Sequence, residues 1–394
     1  MEKAPDRIGK RMDRSTWLDK KKLRIVHFGH KRMPSREGGV EIVVEELATR
    51  MAAMGHEVAV INRRGHHVSG AEFDEEAQKE YKGVRILSVP TIDKKGLAAV
   101  SSAFFATVKA SFGKYDIVHI HAEGPAAFCW MPKIFGKKVV CTCHGIDYLR
   151  PRWKGTFGSK FIHYGEKKMA KHADEIIVLS KGVQEHFRNT YDRSTTLIPN
   201  GVVRPDVRKN EILNKKYKIE TNGYFLALSR LTKEKGIHLL IEAYRKVKTD
   251  KKLVIAGGSS DSNDYVQYLH KLAEGDERII FTGFVQGQEL EELYSNAYVY
   301  VLPSELEGMP LSLLEAMSYG NCCLTSDISE NTDVIGKYGL TFKKNDEEDL
   351  AKCLQDLENK PAKVNEYKTN AASYICGKYN WDEITEKTLG LYYK

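Results

Sequence analysis

The 394-residue sequence contains no apolar run near the roughly 20 residues that a membrane-spanning helix needs, and its charged N-terminus lacks the apolar segment of a secretory signal. Its seven cysteines include no C-x2-C pair and are odd in number, so neither a zinc site nor a disulfide framework is indicated. Small buried thiols in a reducing compartment are the simplest interpretation, and we expect a cytoplasmic protein.

Two common nucleotide-binding signatures are also missing. The first strand–helix unit has no G-x-G-x-x-G fingerprint, which argues against a classical NAD enzyme, and no Walker A loop is present. The composition is that of an ordinary globular protein. A formal net charge of +8 is compatible with nucleic acid, an anionic membrane surface or a phosphate-bearing substrate.

What the sequence does contain is an alternation of apolar strands and amphipathic helices, in two halves. The Pro199-Asn200-Gly201 turn separates them. This pattern predicts an α/β protein with two Rossmann-like domains, whose parallel sheets face a central cleft. The predicted segments are a basic extension at 1–22, a first domain at 23–203, a second domain at 204–378 and a last helix at 379–394.

The most informative stretch is 303–328, which follows an apolar strand predicted at 297–302. Its loop carries Glu307, and Glu315 lies eight positions later, about one turn into a helix. Ligands of such sheets bind at the carboxyl ends of strands, against helix N-termini. A carboxylate can accept hydrogen bonds from both hydroxyls of a ribose, which suits Glu315. A capping acid and a solvated helix acid are the alternative.

Three further loops carry candidate residues. Gly38 and Gly39 open a helix and would let backbone approach an anion, although a tight turn is the alternative. His144 follows a strand directly, where it could meet a substrate or be purely structural. Arg230 and Lys235 flank a strand-to-helix loop and could grip a diphosphate, or they could be solvated loop charges.

Taken together, these motifs resemble the retaining nucleotide-sugar glycosyltransferases of family 4 (glycosyl transferases group 1), which have the GT-B fold. E-G-M-P-L-S-L-L-E-A-M-S-Y-G resembles the E-x7-E signature of that family, and S-R-L-T-K-E-K-G resembles its diphosphate clamp. G-G-V-E, H-G-I-D and I-P-N-G-V resemble its glycine loop, its histidine element and its interdomain junction. The resemblance extends over most of the chain. It implies that 23–203 is the acceptor-side domain, that 204–378 is the nucleotide-sugar-binding domain and that the helix at 379–394 crosses back to the first domain.

The resemblance implies transfer of a hexose-type sugar from a nucleotide-diphosphate sugar, with UDP favoured, to a saccharide or lipid-linked acceptor in surface polysaccharide synthesis. It implies His144, Glu307, Arg230 and Lys235 as catalytic residues and Asp147 on the acceptor side. The implied donor-binding residues are Gly38, Gly39, Arg230, Lys235, Gly257, Phe284, Glu307, Gly308, Met309, Pro310, Leu311 and Glu315.

The family's chemistry implies no metal and no cofactor other than the nucleotide sugar, and the sequence has no D-x-D element. The sequence departs from the family's usual motif in one place, where it has Gly308-Met309-Pro310-Leu311 and the family frequently has Gly-Phe-Gly-Leu. Pro310 has no backbone N–H, so one contact to the donor is lost.

Alternative functions are a nucleotide-sugar 2-epimerase of the same fold and a non-catalytic, basic nucleic-acid-binding protein, although no nucleic-acid partner is expected. Residues 150–171 interleave basic and aromatic residues, as an anionic membrane surface or a lipid-diphosphate acceptor would favour. A solvated helix with a core-facing stripe explains them equally well. The extension at 1–22 is interpreted as a loosely docked tail, with an electrostatic contact to lipid as its alternative.

Overall fold

The computed structural model describes residues 21–36, 38–64, 78–92, 97–149, 155–258 and 263–394. Two separate sheets organise these residues, one in each half of the chain. The predictions for the basic extension and for 150–154 fall almost entirely outside the described residues. The domain limits given above stay predictions.

The first sheet has eight strands in the order β3-β4-β2-β1-β5-β6-β7-β8, and every pair is parallel except β3 with β4. Both faces of its central strands are covered, which explains their nearly continuous apolar sequences. The strands are β1 (Arg24–Phe28), β2 (Glu57–Arg63), β3 (Glu80–Tyr81), β4 (Val84–Val89), β5 (Ile117–His121), β6 (Lys138–Cys143), β7 (Glu175–Val178) and β8 (Thr196–Leu197).

The second sheet has six parallel strands in the order β11-β10-β9-β12-β13-β14. The predicted α/β architecture with two parallel-sheet units is therefore confirmed. Its strands are β9 (Tyr224–Leu228), β10 (Lys252–Ala256), β11 (Ile279–Gly283), β12 (Val299–Leu302), β13 (Cys322–Ser326) and β14 (Leu340–Phe342).

Helices alternate with the strands in both halves, as right-handed parallel connections require. In the described part of the chain, no helix combines the length and the hydropathy that a bilayer span requires. The helices are α1 (Gly39–Ala53), α2 (Leu97–Phe112), α3 (Trp130–Ile134), α4 (Phe157–His172), α5 (Lys181–Tyr191), α6 (Ile212–Tyr217), α7 (Ile237–Arg245), α8 (Asn263–Ala273), α9 (Gly287–Asn296), α10 (Leu311–Ser318), α11 (Ser329–Ile335), α12 (Glu347–Asn359), α13 (Pro361–Lys378) and α14 (Trp381–Tyr392).

The last helix returns to the first half of the chain. Arg50 on α1 donates to Asp382 on α14 at 2.9 Å, and the Tyr392 hydroxyl lies 2.6 Å from Nδ1 of His119 on β5. At the junction, the backbone N–H of Val202 donates to the Tyr379 carbonyl at 2.8 Å. These contacts place α14 against the first sheet.

Each sheet reverses its strand order at one place that bears on function. In the first sheet this place lies between β1 and β5, and in the second between β9 and β12. Loops diverge on either side of such a point and leave a crevice at the carboxyl ends of the strands. The loops that follow β9 and β12 carry the predicted clamp and the E-x7-E motif.

Candidate active site

A buried ion pair joins the two loops at the crevice of the second sheet. Lys235 Nζ lies 2.6 Å from Glu307 Oε1, and the two side chains are only 12% and 5% exposed. The same loops are held together by backbone contact: the Glu305 N–H donates to the Glu234 carbonyl at 2.8 Å. Arg230 is half-buried in the loop after β9. The structure thus brings Glu307 and Lys235 together and places Arg230 in the loop that holds Lys235.

Gly236 shows how closely these loops approach each other. Its φ is +66°, and a Cβ at this position would lie 2.2 Å from the Pro303 carbonyl oxygen. A side chain would therefore separate the loop after β9 from the loop after β12. Glycine is needed here for a close approach as well as for its backbone conformation.

The E-x7-E motif ends on α10, with Pro310 as the residue that precedes the helix and Leu311 as its first residue. Glu315 accepts a hydrogen bond from the Tyr294 hydroxyl at 3.1 Å. Burial raises the pKa of Glu315 above its ordinary value, whereas the charge of Arg36 and the Tyr294 hydrogen bond oppose this shift. Glu315 is therefore a partly desolvated acceptor at the helix start.

Loops of the first half close over this helix start. Gly39, the first residue of α1, lies so close to Leu311 that an added Cβ would be 3.3 Å from the leucine Cδ1. The Asn200 side-chain amide donates to the Met309 carbonyl at 3.3 Å. Gly38 precedes Gly39 as the N-terminal flanking residue of α1. The glycine loop and the E-x7-E loop therefore meet.

His144 and Gly308 bring the two halves into close contact. A Cβ on Gly308 would lie 1.8 Å from the His144 carbonyl oxygen, so only glycine fits there. Burial lowers the pKa of His144 to about 4, because desolvation outweighs the opposing charges of Asp147 and Glu41. A neutral imidazole at neutral pH can donate from one nitrogen and accept at the other. His144 therefore lies beside Glu307's loop as a neutral hydrogen-bonding group.

A chain of histidines supports His144 from inside the first sheet. Nε2 of His144 lies 3.2 Å from Nδ1 of His121, and Nε2 of His121 lies 3.2 Å from Nδ1 of His27. Each contact shares one proton, so the tautomer of one ring sets that of the next. Burial lowers the pKa of His27 to about 3 and that of His121 well below its ordinary value. The chain is thus neutral and orients His144.

Among the described residues, His27, His119 and His121 are also the group whose ring nitrogens, all within 4.8 Å, could hold a metal ion. Both nitrogens of His119 already have partners, at 2.6 Å from the Tyr392 hydroxyl and 2.7 Å from Thr142 Oγ1. One ring nitrogen of His27 is bonded to His121. A metal would have to displace these hydrogen bonds, so the arrangement fits a hydrogen-bonded core better.

Asp147, the predicted acceptor-side residue, lies next to the buried Glu123. The Asp147 backbone N–H donates to Glu123 Oε1 at 3.1 Å, at the start of a short 3₁₀ turn. Desolvation first, and then the charge of Asp147, raises the pKa of Glu123 well above its ordinary value. Burial therefore favours the protonated form of Glu123, whose carboxyl oxygen holds the start of the Asp147 turn.

Gly257 and Phe284 follow β10 and β11, at the same end of the sheet as the loop after β9. Gly257 has a φ of +136°, and a Cβ there would lie 1.8 Å from the Ser229 carbonyl oxygen. Its need for glycine therefore comes from packing against the loop that holds Arg230. Phe284 is half-buried near Gly258. The structure places both residues at the carboxyl ends of strands on one side of β9 and shows that Gly257 packs against the loop that holds Arg230.

Sequence reasoning missed five residues that shape the site. The H-x-H alternation on β5 signalled that His119 and His121 share a face, but the pairing of His119 with His27 depends on strand order. Nothing local marked the other residues, because their roles depend on contacts across the fold. The missed residues are Arg36, His27, His121, Glu123 and Tyr294.

Two family models match the chain, one in each half. The family model described as "Glycosyltransferase Family 4" matches residues 37–204, and the one described as "Glycosyl transferases group 1" matches residues 208–374. The two matches adjoin near the junction and together include both loops of the Lys235–Glu307 pair and the His144 loop.

Relatives and solved structures agree with these matches. An uncharacterized glycosyltransferase of Methanocaldococcus jannaschii, MJ1607, is 27% identical over 390 residues, which cover 91% of this chain and 95% of the relative. The O-antigen chain mannosyltransferase RfbU of Salmonella typhimurium is 26% identical over 255 residues, covering 61% and 71%.

Among solved structures, Anabaena HepE in complex with UDP-glucose superposes with a TM-score of 0.76 at 18% identity, covering 93% of this chain and 98% of that one. This likeness concerns the fold. The chain belongs to the group 1 glycosyltransferases of family 4, has the GT-B fold, and is a glycosyltransferase enzyme.

Proposed function

We propose that the protein is a retaining glycosyltransferase that moves a hexose-type sugar from a UDP-sugar to a saccharide or lipid-linked acceptor in surface polysaccharide synthesis. The observation that carries this proposal is the Lys235–Glu307 pair, with its 2.6 Å contact, next to the start of α10. A buried cation and two carboxylates at this crevice suit a diphosphate, a sugar and a ribose.

The donor would lie along the crevice of the second sheet. Arg230 and Lys235 would neutralise the diphosphate, the first through a bidentate contact and the second as a point charge. Glu315 would accept hydrogen bonds from the ribose hydroxyls. The first-turn N–H groups of α10, from Leu311 onwards, would add donors, because Pro310 has none. Lys235 would then share its charge between Glu307 and the donor.

His144, Glu307 and Gly308 would surround the sugar. Nε2 of the neutral His144 ring contacts His121, so the other ring nitrogen could donate a hydrogen bond to a sugar hydroxyl or accept one from it. Gly38 and Gly39 would close on the donor from the first half, and Asp147 lies toward the acceptor. Phe284 and Gly257 would border the base.

Bond breaking would be driven by preorganised charge. As the glycosidic bond of the donor breaks, negative charge grows on the leaving diphosphate, and cations already in place stabilise it. Losing such a group typically lowers the rate by about 10²–10³-fold. We propose front-face attack with retention of configuration and no metal requirement. In that scheme Glu307 orients the sugar and need not act as a nucleophile.

Similarity supports the choice of substrates. HepE was solved with UDP-glucose, and the RfbU relative is named as an O-antigen chain mannosyltransferase. A UDP-sugar donor and a saccharide acceptor are therefore our proposal for this chain. We further propose a cytoplasmic location with peripheral contact to the inner face of the membrane, where lipid-linked acceptors would be available.

A product assay tests this function. The purified protein is incubated with UDP-hexoses, one at a time, with and without saccharide and lipid-linked acceptors, and the products are analysed by NMR. We expect acceptor-dependent UDP release and a new bond with the donor's anomeric configuration. Release of UDP with sugar epimerisation and without acceptor would favour a 2-epimerase and contradict the proposal. EDTA should leave the rate unchanged.

A further inference from the structure

Helix α2 turns its large apolar side chains outwards. Phe112 is 71% exposed, and Leu97, Phe104 and Phe105 are each more than a third exposed. A helix that only packs on a sheet shows the reverse distribution. The buried side chains of α2 are instead small, namely Ser102, Ala103, Ala106, Thr107, Ala110 and Ser111.

Neighbouring elements extend this exposed stripe. The Phe135 ring, just after α3, lies 4.7 Å from the Phe112 ring between centroids, and Ile134 is 70% exposed. Phe157, at the start of α4, is 72% exposed. The Phe128 ring connects Phe104 with Phe161 on α4, at 5.5 and 6.2 Å between centroids. We call the aromatic face the set of Leu97, Phe104, Phe105, Phe112, Ile134, Phe135 and Phe157.

The exposed charges on the elements that form the aromatic face are mostly positive. Residues 97–149 and 155–172 contain four acids, of which Glu123 and Glu166 are fully buried and Asp116 is paired with Arg24 at 2.7 Å. Asp147 is half-buried at the cleft. The exposed lysines of the same elements are Lys109, Lys114, Lys160, Lys167 and Lys171, whereas Lys133 on α3 is paired with the exposed Asp174 at 2.8 Å.

We propose that the aromatic face docks on an anionic lipid bilayer. Exposed apolar side chains at helical spacing can enter the boundary between headgroups and acyl chains, while lysines on the same elements attract anionic headgroups. Scattered single apolar residues would need no explanation, but rings in contact across three helices form a continuous patch. A protein partner would have to be acidic around an apolar centre, whereas an anionic bilayer has both properties everywhere.

The aromatic face lies mostly outside the stretch 150–171, which the sequence indicated as a possible membrane-binding segment. In α4 the side chains of Ile162 and Met169 are buried, so part of that segment's apolar stripe belongs to the core. The exposed apolar area lies mainly on α2 and α3. The docking proposal rests on the proposed function in one respect only. The 3₁₀ turn that begins at Asp147 ends at Leu149, which is 58% exposed, so docking would bring the proposed acceptor-side residue Asp147 near the lipid.

Vesicle sedimentation of the full-length protein tests this docking. We expect the protein to sediment with phosphatidylcholine vesicles that contain phosphatidylglycerol, to remain in solution with phosphatidylcholine alone, and to dissociate as salt rises. The Phe112→Ser/Ile134→Ser variant and the Lys160→Glu/Lys167→Glu variant should bind more weakly. For the lysine variant we expect a loss of at least about fivefold per position.

Matched changes on the second half provide the control. Tyr268 is 46% exposed on α8 and Lys352 is exposed on α12, so Tyr268→Ser and Lys352→Glu should bind vesicles like the wild type. Equal binding by all variants, or no binding to phosphatidylglycerol vesicles, would overturn the proposal. The proposal would also be overturned if the wild type were a dimer in light scattering and the Phe112→Ser/Ile134→Ser variant a monomer, because a second copy of the chain would then cover the aromatic face.

UDP binding by the same variants separates this proposal from the proposed function. The surface variants should bind UDP with unchanged affinity, because none of the substituted residues lies in the crevice. If the wild type fails to bind UDP but sediments through the aromatic face, the function fails and the docking surface stands.

Discussion

Replacing Lys235 by methionine should both destabilise the protein and abolish efficient catalysis. The substitution removes the ammonium that lies 2.6 Å from Glu307, whose side chain is 5% exposed, and leaves its length and apolar stem in place. Removing one partner of a buried ion pair typically costs about 3–5 kcal/mol, because the remaining charge loses its compensation. Exposed Lys352→Met, as the matched control, should change the free energy of unfolding by less than about 0.5 kcal/mol.

A double-mutant cycle distinguishes loss of the pair from loss of packing. Glu307→Gln removes the carboxylate charge, so the Lys235→Met/Glu307→Gln double variant should be less destabilised than the sum of the two single variants. Urea unfolding, followed by circular dichroism, gives the four free energies if each variant unfolds in one transition. Free energies that add within about 0.5 kcal/mol would refute the claim that the two groups are coupled.

The same variant tests the catalytic role. Lys235→Met should lower kcat by about 10²–10³-fold, because the leaving diphosphate loses a cation already in place. The double variant should recover stability but not activity. Recovery of activity together with stability would show that Lys235 acts only through the fold.

Three further predictions follow from the site. Gly308→Ala should separate the two halves and lower kcat/KM at least tenfold, because its Cβ would meet the His144 carbonyl oxygen at 1.8 Å, whereas Gly377→Ala, with open space around it, should be neutral. Tyr294→Phe removes a hydrogen bond that lowers the pKa of Glu315, so Glu315 should become protonated at a higher pH than in the wild type. As the pH is lowered, the UDP affinity of the variant, measured by titration, should therefore begin to weaken at a higher pH. Because burial holds the pKa of His27 near 3, against about 6.5 in the unfolded chain, thermal stability should be full above pH 6.5 and decline as the pH falls toward 4.

Much of the fold could be predicted because its signals are local. Apolar runs of strand length, helical periodicity and turn residues defined the alternating elements, and the rule that ligands bind at strand carboxyl ends located Lys235 and Glu307. The sequence could not show that these two side chains would touch. Their contact depends on β9 and β12 being neighbours in the sheet, which is a property of strand order.

Two other features lay beyond local reasoning. Gly308 occurs in a loop where any glycine could serve a turn, yet it is required by a close approach from a residue more than 160 positions earlier. Helix α2 is rich in both small and large apolar residues, so periodicity predicted a helix without deciding which side is buried. Only the packing against the first sheet made that choice, and it left Phe112 outside.

Pro310 shows how a local rule and the structure combine. The sequence indicated that its missing N–H removes a contact to the donor. In the structure Pro310 immediately precedes α10 with a φ of −75°, a conformation that proline adopts without strain. The substitution of glycine by proline therefore fits the helix start while reducing its hydrogen-bond donors.

The central claim is that Arg230 and Lys235 hold a nucleoside diphosphate at the crevice of the second sheet. Titration calorimetry with UDP and with uridine, on the wild type and on Arg230→Ala, tests this claim most directly. We predict that UDP binds the wild type much more tightly than uridine does, and that Arg230→Ala removes most of this difference while its thermal unfolding stays close to that of the wild type. Equal affinity for UDP and uridine in the wild type, or an unchanged UDP affinity in Arg230→Ala, would contradict the account.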